Sequence, residues 1–271
     1  MMKIYLIILL ICVFLPKILF GDTTIIIQST TSTKNSGFYN FILPIIAKET
    51  GVNANVVAVG TGAAIKNSMN CDGDILLVHS KEKEKEFVKL GFAKERYDLM
   101  YNQYYVIGPL SDPAKIIGTK TVVEAFKKIA SKKAIFASRS DNSGTYIREK
   151  FIWSKAQVNP KQFSGKWYRE TGQGMGSTIN VAIGMGGYTL SDSATWINFG
   201  NKNDYKILFQ GDKLLFNQYG IMLVNKDKCP TVKYSKGKKF LDWILSDRGQ
   251  DFINSYRING IQLFYGNSKN F

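Results

Sequence analysis

Residues 23–37 read Thr23-Thr24-Ile25-Ile26-Ile27-Gln28-Ser29-Thr30-Thr31-Ser32-Thr33-Lys34-Asn35-Ser36-Gly37. The β-branched and apolar run at 23–28 predicts a strand, and the hydroxyl-rich run at 29–37 predicts a loop. The amphipathic stretch at 38–50 predicts a helix. The same order returns at once, with a strand over 52–59, the turn Gly60-Thr61-Gly62, a helix over 63–70 and a third strand over 74–78. Alternating strands and helices with a glycine-bearing or polar turn after each strand predict an α/β fold with a largely parallel sheet.

Outward from this segment the rhythm continues. The Lys- and Glu-dense run at 81–89 reads as a solvated helix with ion pairs three and four residues apart. Residues 103–107 predict a strand closed by Gly108-Pro109. A helix is expected over 122–131, a strand over 134–137, a polar loop over 138–143 and a helix over 144–154. Strands are expected at 207–209 and 220–224. A single long helix is expected over 237–256, because Phe240, Leu241, Ile244, Leu245, Phe252 and Ile253 recur at helical spacing. No linker rich in Pro or Ser divides the chain, so two domains would have to be joined by crossing strands, with 104–108 leading out and 220–224 returning.

The first 21 residues have a short basic start, an apolar run over 4–15, and then Pro16, Lys17 and Gly21, which is the pattern of a cleaved secretory signal peptide. The run falls short of the about 20 residues a spanning helix needs. Lipidation at Cys12 is disfavoured by Leu10 and Ile11, which stand where small residues are usual. The chain of 271 residues has 36 basic and 21 acidic residues, a net charge of +15. Removal of Lys3 and Lys17 leaves it strongly basic, which favours anionic partners. Export argues against nucleic acid. Cys71 and Cys229 remain in a compartment that permits disulfides, and they read either as a pair or as two separate buried thiols.

Two loops share one chemistry: each follows a strand, opens a helix and consists of hydroxyls and small residues. One is 29–37; the other is Ser138-Arg139-Ser140-Asp141-Asn142-Ser143-Gly144-Thr145. A helix start leaves about four backbone N–H groups unpaired at the positive end of the dipole, so such loops can hold an anion. Arg139 adds a permanent planar fork that matches two oxygens of an oxyanion, and Asp141 is placed to hold that fork. Gly60-Thr61-Gly62 adds a third donor-bearing turn. Ser and Thr before a helix often serve only as N-caps, so one loop alone marks nothing. Two of them in one exported chain, one with an arginine, favour a binding site.

Competing signals are thin. Gly172-Gln173-Gly174-Met175-Gly176 superficially matches a dinucleotide fingerprint, but the strand before it, over 167–171, is doubtful. His79, the lone histidine, reads as a structural or pocket-rim residue. Tyr97, Tyr101, Tyr104 and Tyr105 read as core and strand filling. An exported hydrolase would need a base, a nucleophile or a metal set, and none is apparent. A membrane-surface protein acting through charge alone is a further alternative.

At these loops the sequence resembles the TupA-type tungstate-binding proteins of ATP-driven importers, which are themselves similar to phosphate-binding proteins. The likeness runs through 30–37, VAVGTG at 57–62, DILLVH at 74–79, SRSDNSGT at 138–145, GYTL at 187–190, GIMLVN at 220–225, and 240–244 and 248–250. The resemblance implies a two-lobed α/β fold of the type II periplasmic solute-binding proteins, with the ligand in the interlobe cleft. The implied lobes are 22–105 plus 222–271, and 106–221. Carried over by position, Thr31, Ser32 and Thr61 are donors from the first lobe, and Arg139, Ser143, Gly144 and Thr145 stand at the second. Ser29 and Ser140 depart from the family pattern, which has threonine and glycine there.

The same resemblance implies a non-enzymatic periplasmic receptor without a cofactor or bound metal ion. It would be a monomer that carries tungstate to the permease of an ABC transporter in the inner membrane. Phosphate near neutrality keeps a proton and needs an acceptor, whereas tungstate is a dianion that needs donors only. In similar phosphate binders an aspartate follows the strand that is 74–78 here, and this chain has His79 and Ser80. Asp141 and Asp192 remain as candidate acceptors. Molybdate, sulfate and phosphate stay as alternative ligands.

Overall fold

The computed structural model describes residues 24–268, so the expected signal peptide lies outside the described residues. The first half contains β1 (Thr24–Thr30), α1 (Thr31–Asn35), α2 (Phe38–Thr50), β2 (Asn53–Val59), α3 (Thr61–Met69), β3 (Ile75–Val78), α4 (Lys81–Lys89) and the start of β4 (Tyr97–Pro109). There follow α5 (Val122–Ser131), β5 (Phe136–Ser138), α6 (Gly144–Lys155), β6 (Tyr168–Glu170), α7 (Met175–Gly184), β7 (Thr189–Asp192), α8 (Ser193–Asn198) and β8 (Tyr205–Phe209). The chain then returns through β9 (Phe216–Leu223) to α9 (Tyr234–Leu245) and α10 (Asp247–Ser255).

Strands of the main sheet lie in the order β4-β9-β3-β1-β2. The central strand β3 is buried on both faces, as a continuous apolar run requires. Its Ile75 and Leu77 enter the core formed with α2, α9 and α10, and its Leu76 and Val78 enter the core under α3 and α4. Period-two alternation therefore sorts one strand into two helical layers. A second sandwich repeats the plan: Val106 packs with α5 and α6, and Ile107 packs with α7 and α8.

The two sandwiches share β4. Residues 97–103 of this strand pair with β9, and residues 104–109 pair with β7 and β8. The partner switch falls between Gln103 and Tyr104. β9 pairs with both β4 and β3 along its length.

Three expectations need correction. Parallel pairing holds for β1–β2, β1–β3 and β5–β6, but β9 is antiparallel to β3 and β4, and β7 and β8 are antiparallel to β4. Strand direction follows the crossing of the chain, which an apolar pattern does not encode. The doubtful strand at 167–171 exists as β6, paired in parallel with β5. The single helix expected over 237–256 is two helices broken at Ser246, whose backbone is extended. Ser246 Oγ donates to the Trp243 carbonyl at 2.6 Å and accepts from Gly249 N–H at 3.3 Å, capping α10. Gly249 packs its Cα against the Trp243 carbonyl, where a Cβ would collide.

Cys71 and Cys229 are paired, with Cα atoms 5.2 Å apart. The bond ties the end of α3 to the segment between β9 and α9, within the core under α3 and α4. It closes a loop with a sequence separation of 158 residues. Replacing both cysteines by serine is expected to lower unfolding free energy by about 2–4 kcal/mol, measured by urea denaturation. An unchanged denaturation midpoint would refute this contribution.

Candidate functional site

The hydroxyls of the first loop divide by role. Ser29 Oγ donates to the Leu77 carbonyl at 2.8 Å and accepts from Tyr39 Oη at 2.5 Å. Thr30 caps α1: its Oγ1 accepts from Thr33 N–H at 3.3 Å and lies 2.8 Å from Thr33 Oγ1. Ser36 Oγ donates to the Thr33 carbonyl at 2.6 Å. Gly37 sits in the left-handed region at φ 79°, and a Cβ there would lie 2.6 Å from Tyr256 Oη. These groups build the turn. Thr31, half-buried, makes no side-chain hydrogen bond among the described residues, and Ser32, buried, faces the other sandwich.

The residue it faces is Arg139. This residue is only 2 % exposed. Its Nη1 donates to Ser32 Oγ at 3.2 Å, its Nη2 donates to Asp141 Oδ2 at 2.6 Å, and its Nε is buried without a partner. Asp141 Oδ1 in turn accepts from Ser143 N–H at 3.1 Å. One carboxylate thus orients the fork and fixes the start of α6. Ser143 is the N-cap, its Oγ accepting from Tyr146 N–H at 3.1 Å.

A second contact joins the halves beside the first. Gly144 N–H donates to Thr61 Oγ1 at 3.1 Å, and Gly62 N–H donates to the Asn142 carbonyl at 3.2 Å. Thr145 Oγ1 is buried with no hydrogen-bond partner. Ser32, Thr61, Arg139, Gly144 and their neighbours Thr31, Ser143 and Thr145 therefore converge where α1, α3 and α6 begin. The other carboxylate weighed as an acceptor, Asp192, is the N-cap of α8, and its oxygens accept from Thr195 N–H at 2.9 Å and Thr195 Oγ1 at 2.6 Å.

His79, read from the sequence as a structural or pocket-rim residue, stands at the edge of the same junction. A Cβ on Gly144 would lie 2.8 Å from His79 Cε1 and Nδ1 and 2.9 Å from its carbonyl oxygen, so only glycine permits this approach. Asn217 and Tyr104, which hold the imidazole at 3.0 and 3.1 Å, carried no recognisable sequence signal. Among the described residues no cluster of three or more His, Cys, Asp or Glu side chains is placed to hold a metal ion.

Known proteins share this arrangement of chain. The family model described as the PBP superfamily domain matches residues 21–248. The tungstate-binding protein TupA of Peptoclostridium acidaminophilum is 40 % identical over 235 residues, covering 86 % of this chain and 81 % of that protein. This chain belongs to the PBP superfamily and to the TupA family within it. Two solved structures agree. The tungstate-binding protein TupA from Desulfovibrio alaskensis G20 has a TM-score of 0.79 at 43 % identity, over 91 % of this chain and 99 % of its own. The tungstate ABC transporter structure from Geobacter sulfurreducens has a TM-score of 0.79 at 43 % identity, over 86 % of this chain and 98 % of its own.

The backbone at Ser140 suits the glycine that the resemblance led one to expect there. Ser140 has φ 42°, in the left-handed region that costs a side chain. Two bonds hold it there: its N–H donates to Ser138 Oγ at 3.2 Å, and its Oγ donates to Glu170 Oε1 at 2.5 Å. The hydroxyl thus supports a conformation that glycine adopts freely.

Beneath this loop Glu149 is buried and accepts from Ser138 Oγ at 2.8 Å, Tyr168 Oη at 2.8 Å and Trp153 Nε1 at 3.2 Å. Burial, only partly offset by these bonds, pushes its carboxyl up from 4.5 to about 7. Below pH 4.5 both folded and unfolded chains carry this proton. As pH rises toward about 7 the unfolded chain releases it first, so the stability tied to Glu149 is lost across that window. Thermal unfolding of Glu149→Gln should therefore gain on the parent as pH rises through this range. A constant difference in Tm at all pH values would contradict it.

Proposed function

We propose that this chain is an exported, non-enzymatic receptor that closes two lobes on tungstate and delivers it to the membrane permease of an ABC importer. The observation that carries the reading is the convergence of donors from both sandwiches on one spot. Arg139 retains an unpartnered buried Nε, Thr145 an unpartnered buried Oγ1, and Ser32, Thr61 and Gly144 surround them. A buried guanidinium with one N–H still lacking an acceptor favours a guest that brings oxygens. Thr31, Ser32, Thr61, Arg139, Ser143, Gly144 and Thr145 form the proposed ligand set.

The carboxylates favour a fully ionised guest. Asp141 and Asp192 have every oxygen already engaged, and no aspartate follows β3 to accept a proton from phosphate. The similar proteins named for tungstate support that dianion over sulfate. Molybdate, with the same charge and nearly the same shape, is the second reading. The receptor acts as a monomer in the periplasm after loss of residues 1–21, and no cofactor takes part. The lobes expected from the sequence are 22–105 with 222–271, and 106–221, and the proposed return crossing moves to an earlier residue. Pairing of β9 from Phe216 onward with β4 argues for a return crossing near Leu215, and closure is a hinge motion of these crossing strands.

Calorimetric titration with tungstate, molybdate, sulfate and phosphate tests the reading, and a response to phosphate alone would overturn it. Arg139→Ala should weaken tungstate binding well over tenfold, because a charge-assisted bond contributes about 1.5–3 kcal/mol. Unchanged affinity in that variant would remove the proposed site. Gly144→Ala should also weaken binding, by about tenfold or more, since its Cβ meets the His79 ring and carbonyl and holds the lobes apart. Small-angle scattering of tungstate-loaded Gly144→Ala should report a larger radius of gyration than the loaded parent, and equal radii would refute this.

A further inference from the structure

His79 is the only histidine of the chain. It ends at the mouth of β3, with its ring stacked on Tyr219 at 4.9 Å between centroids. Asn217 Nδ2 donates to Asn102 Oδ1 at 2.7 Å and to Tyr219 Oη at 3.3 Å. That leaves Asn217 Oδ1 to accept, and it lies 3.0 Å from His79 Nδ1. With Asn217 Oδ1 able only to accept, Nδ1 carries the proton in the neutral ring, with Tyr104 Oη 3.1 Å away as a second acceptor, and Nε2 is a bare lone pair, buried without a partner. The ring presses on Gly144, whose N–H meets Thr61.

We infer that His79 takes up a proton when the anion enters, so that binding is linked to proton uptake and Nε2 becomes a donor. The inference rests on the anion-receptor reading above. Without an anion, the charged neighbours oppose protonation. Burial comes first and lowers the pKa, the bond to Asn217 opposes it, Arg139 before α6 and Arg148 on α6 lower it further, and the balance pushes the imidazole down to about 4. The phenols facing it, Tyr104 of β4 and Tyr219 of β9, are held neutral by burial. Asp192 of β7 is committed to Thr195, and Glu84 of α4 is committed to Arg96 and Ser80 N–H. Lys81 at the start of α4 adds positive charge. A dianion held by Arg139, Thr61 and Gly144, beside the ring edge that meets Gly144, reverses the sign of the field at the imidazole, and the imidazolium keeps Nδ1 on Asn217. A cavity of about 390 Å³ lined by His79, Tyr104, Arg148, Phe216 and Asn217 borders the ring.

Because the chain has one histidine, nuclear magnetic resonance of isotope-labelled histidine reads this group alone. In tungstate-free protein the two ring nitrogens should show the neutral pattern from about pH 6 to about pH 8. Saturation with sodium tungstate should turn both into the protonated pattern toward the lower end. Calorimetric Kd should tighten as pH falls through this range, by at most about tenfold per pH unit for one linked proton, and His79→Gln should flatten the dependence. Absence of any tungstate binding overturns the functional reading and the inference with it. Tungstate binding with an unmoved imidazole overturns the His79 inference alone.

Discussion

A guanidinium taken out of water must be met by charge and hydrogen bonds, because burial of an ion costs several kcal/mol even after relaxation. Arg139 is met only in part. Asp141 supplies the counter-charge from its own loop, and Ser32 supplies an oxygen from the other sandwich. The same aspartate anchors the first residue of the α6 cap, so the position of the charge and the direction of the helix are set by one side chain. Everything that brings Ser32 to that point, from the β1 register to the turn at Gly37, serves one contact across the cleft.

The layers that deliver this contact are ordinary in composition. β3 alternates its side chains between two helical faces, and Val106 and Ile107 of β4 do the same on the far side of the partner switch. A strand shared by two sandwiches makes the halves rigid within themselves and leaves the relative angle to a few residues. Buried polar groups also fix the loops around the site. Glu84, for example, holds Ser80 N–H at 2.5 Å and Arg96 Nε at 2.6 Å, and Gly220 is required because a Cβ there would collide with Glu84 Oε2. The loop that ends β3 is therefore fixed from β9, a strand about 140 residues later in the chain.

Much of this was legible in the sequence, because strand, polar turn and helix recur with clear periodicity and the two hydroxyl-rich loops stand out in composition. Ser32, Thr61, Arg139 and Gly144, whose bonds join the two halves, were among those named, whereas Asn198, which bonds the Asn35 carbonyl, was not. What the residue types could not show is which hydroxyls build the turn. Ser29, Thr30, Thr33 and Ser36 look the same as Ser32 in a string of letters, yet their bonds are local and its bond is not. The break at Ser246 was hidden because the apolar spacing continues across it. The setting of His79 was hidden for a different reason: its partners Tyr104 and Asn217 come from separate strands, and no local pattern records a meeting 138 positions apart.

The bond between Cys71 and Cys229 has a topological effect beyond the core it sits in. Almost all of the second sandwich lies within the ring it closes. A single cut of the backbone anywhere inside that ring would leave one covalent molecule rather than two fragments. The inserted half can thus loosen, or even be nicked by a protease, while its two ends stay leashed to the half that remains folded.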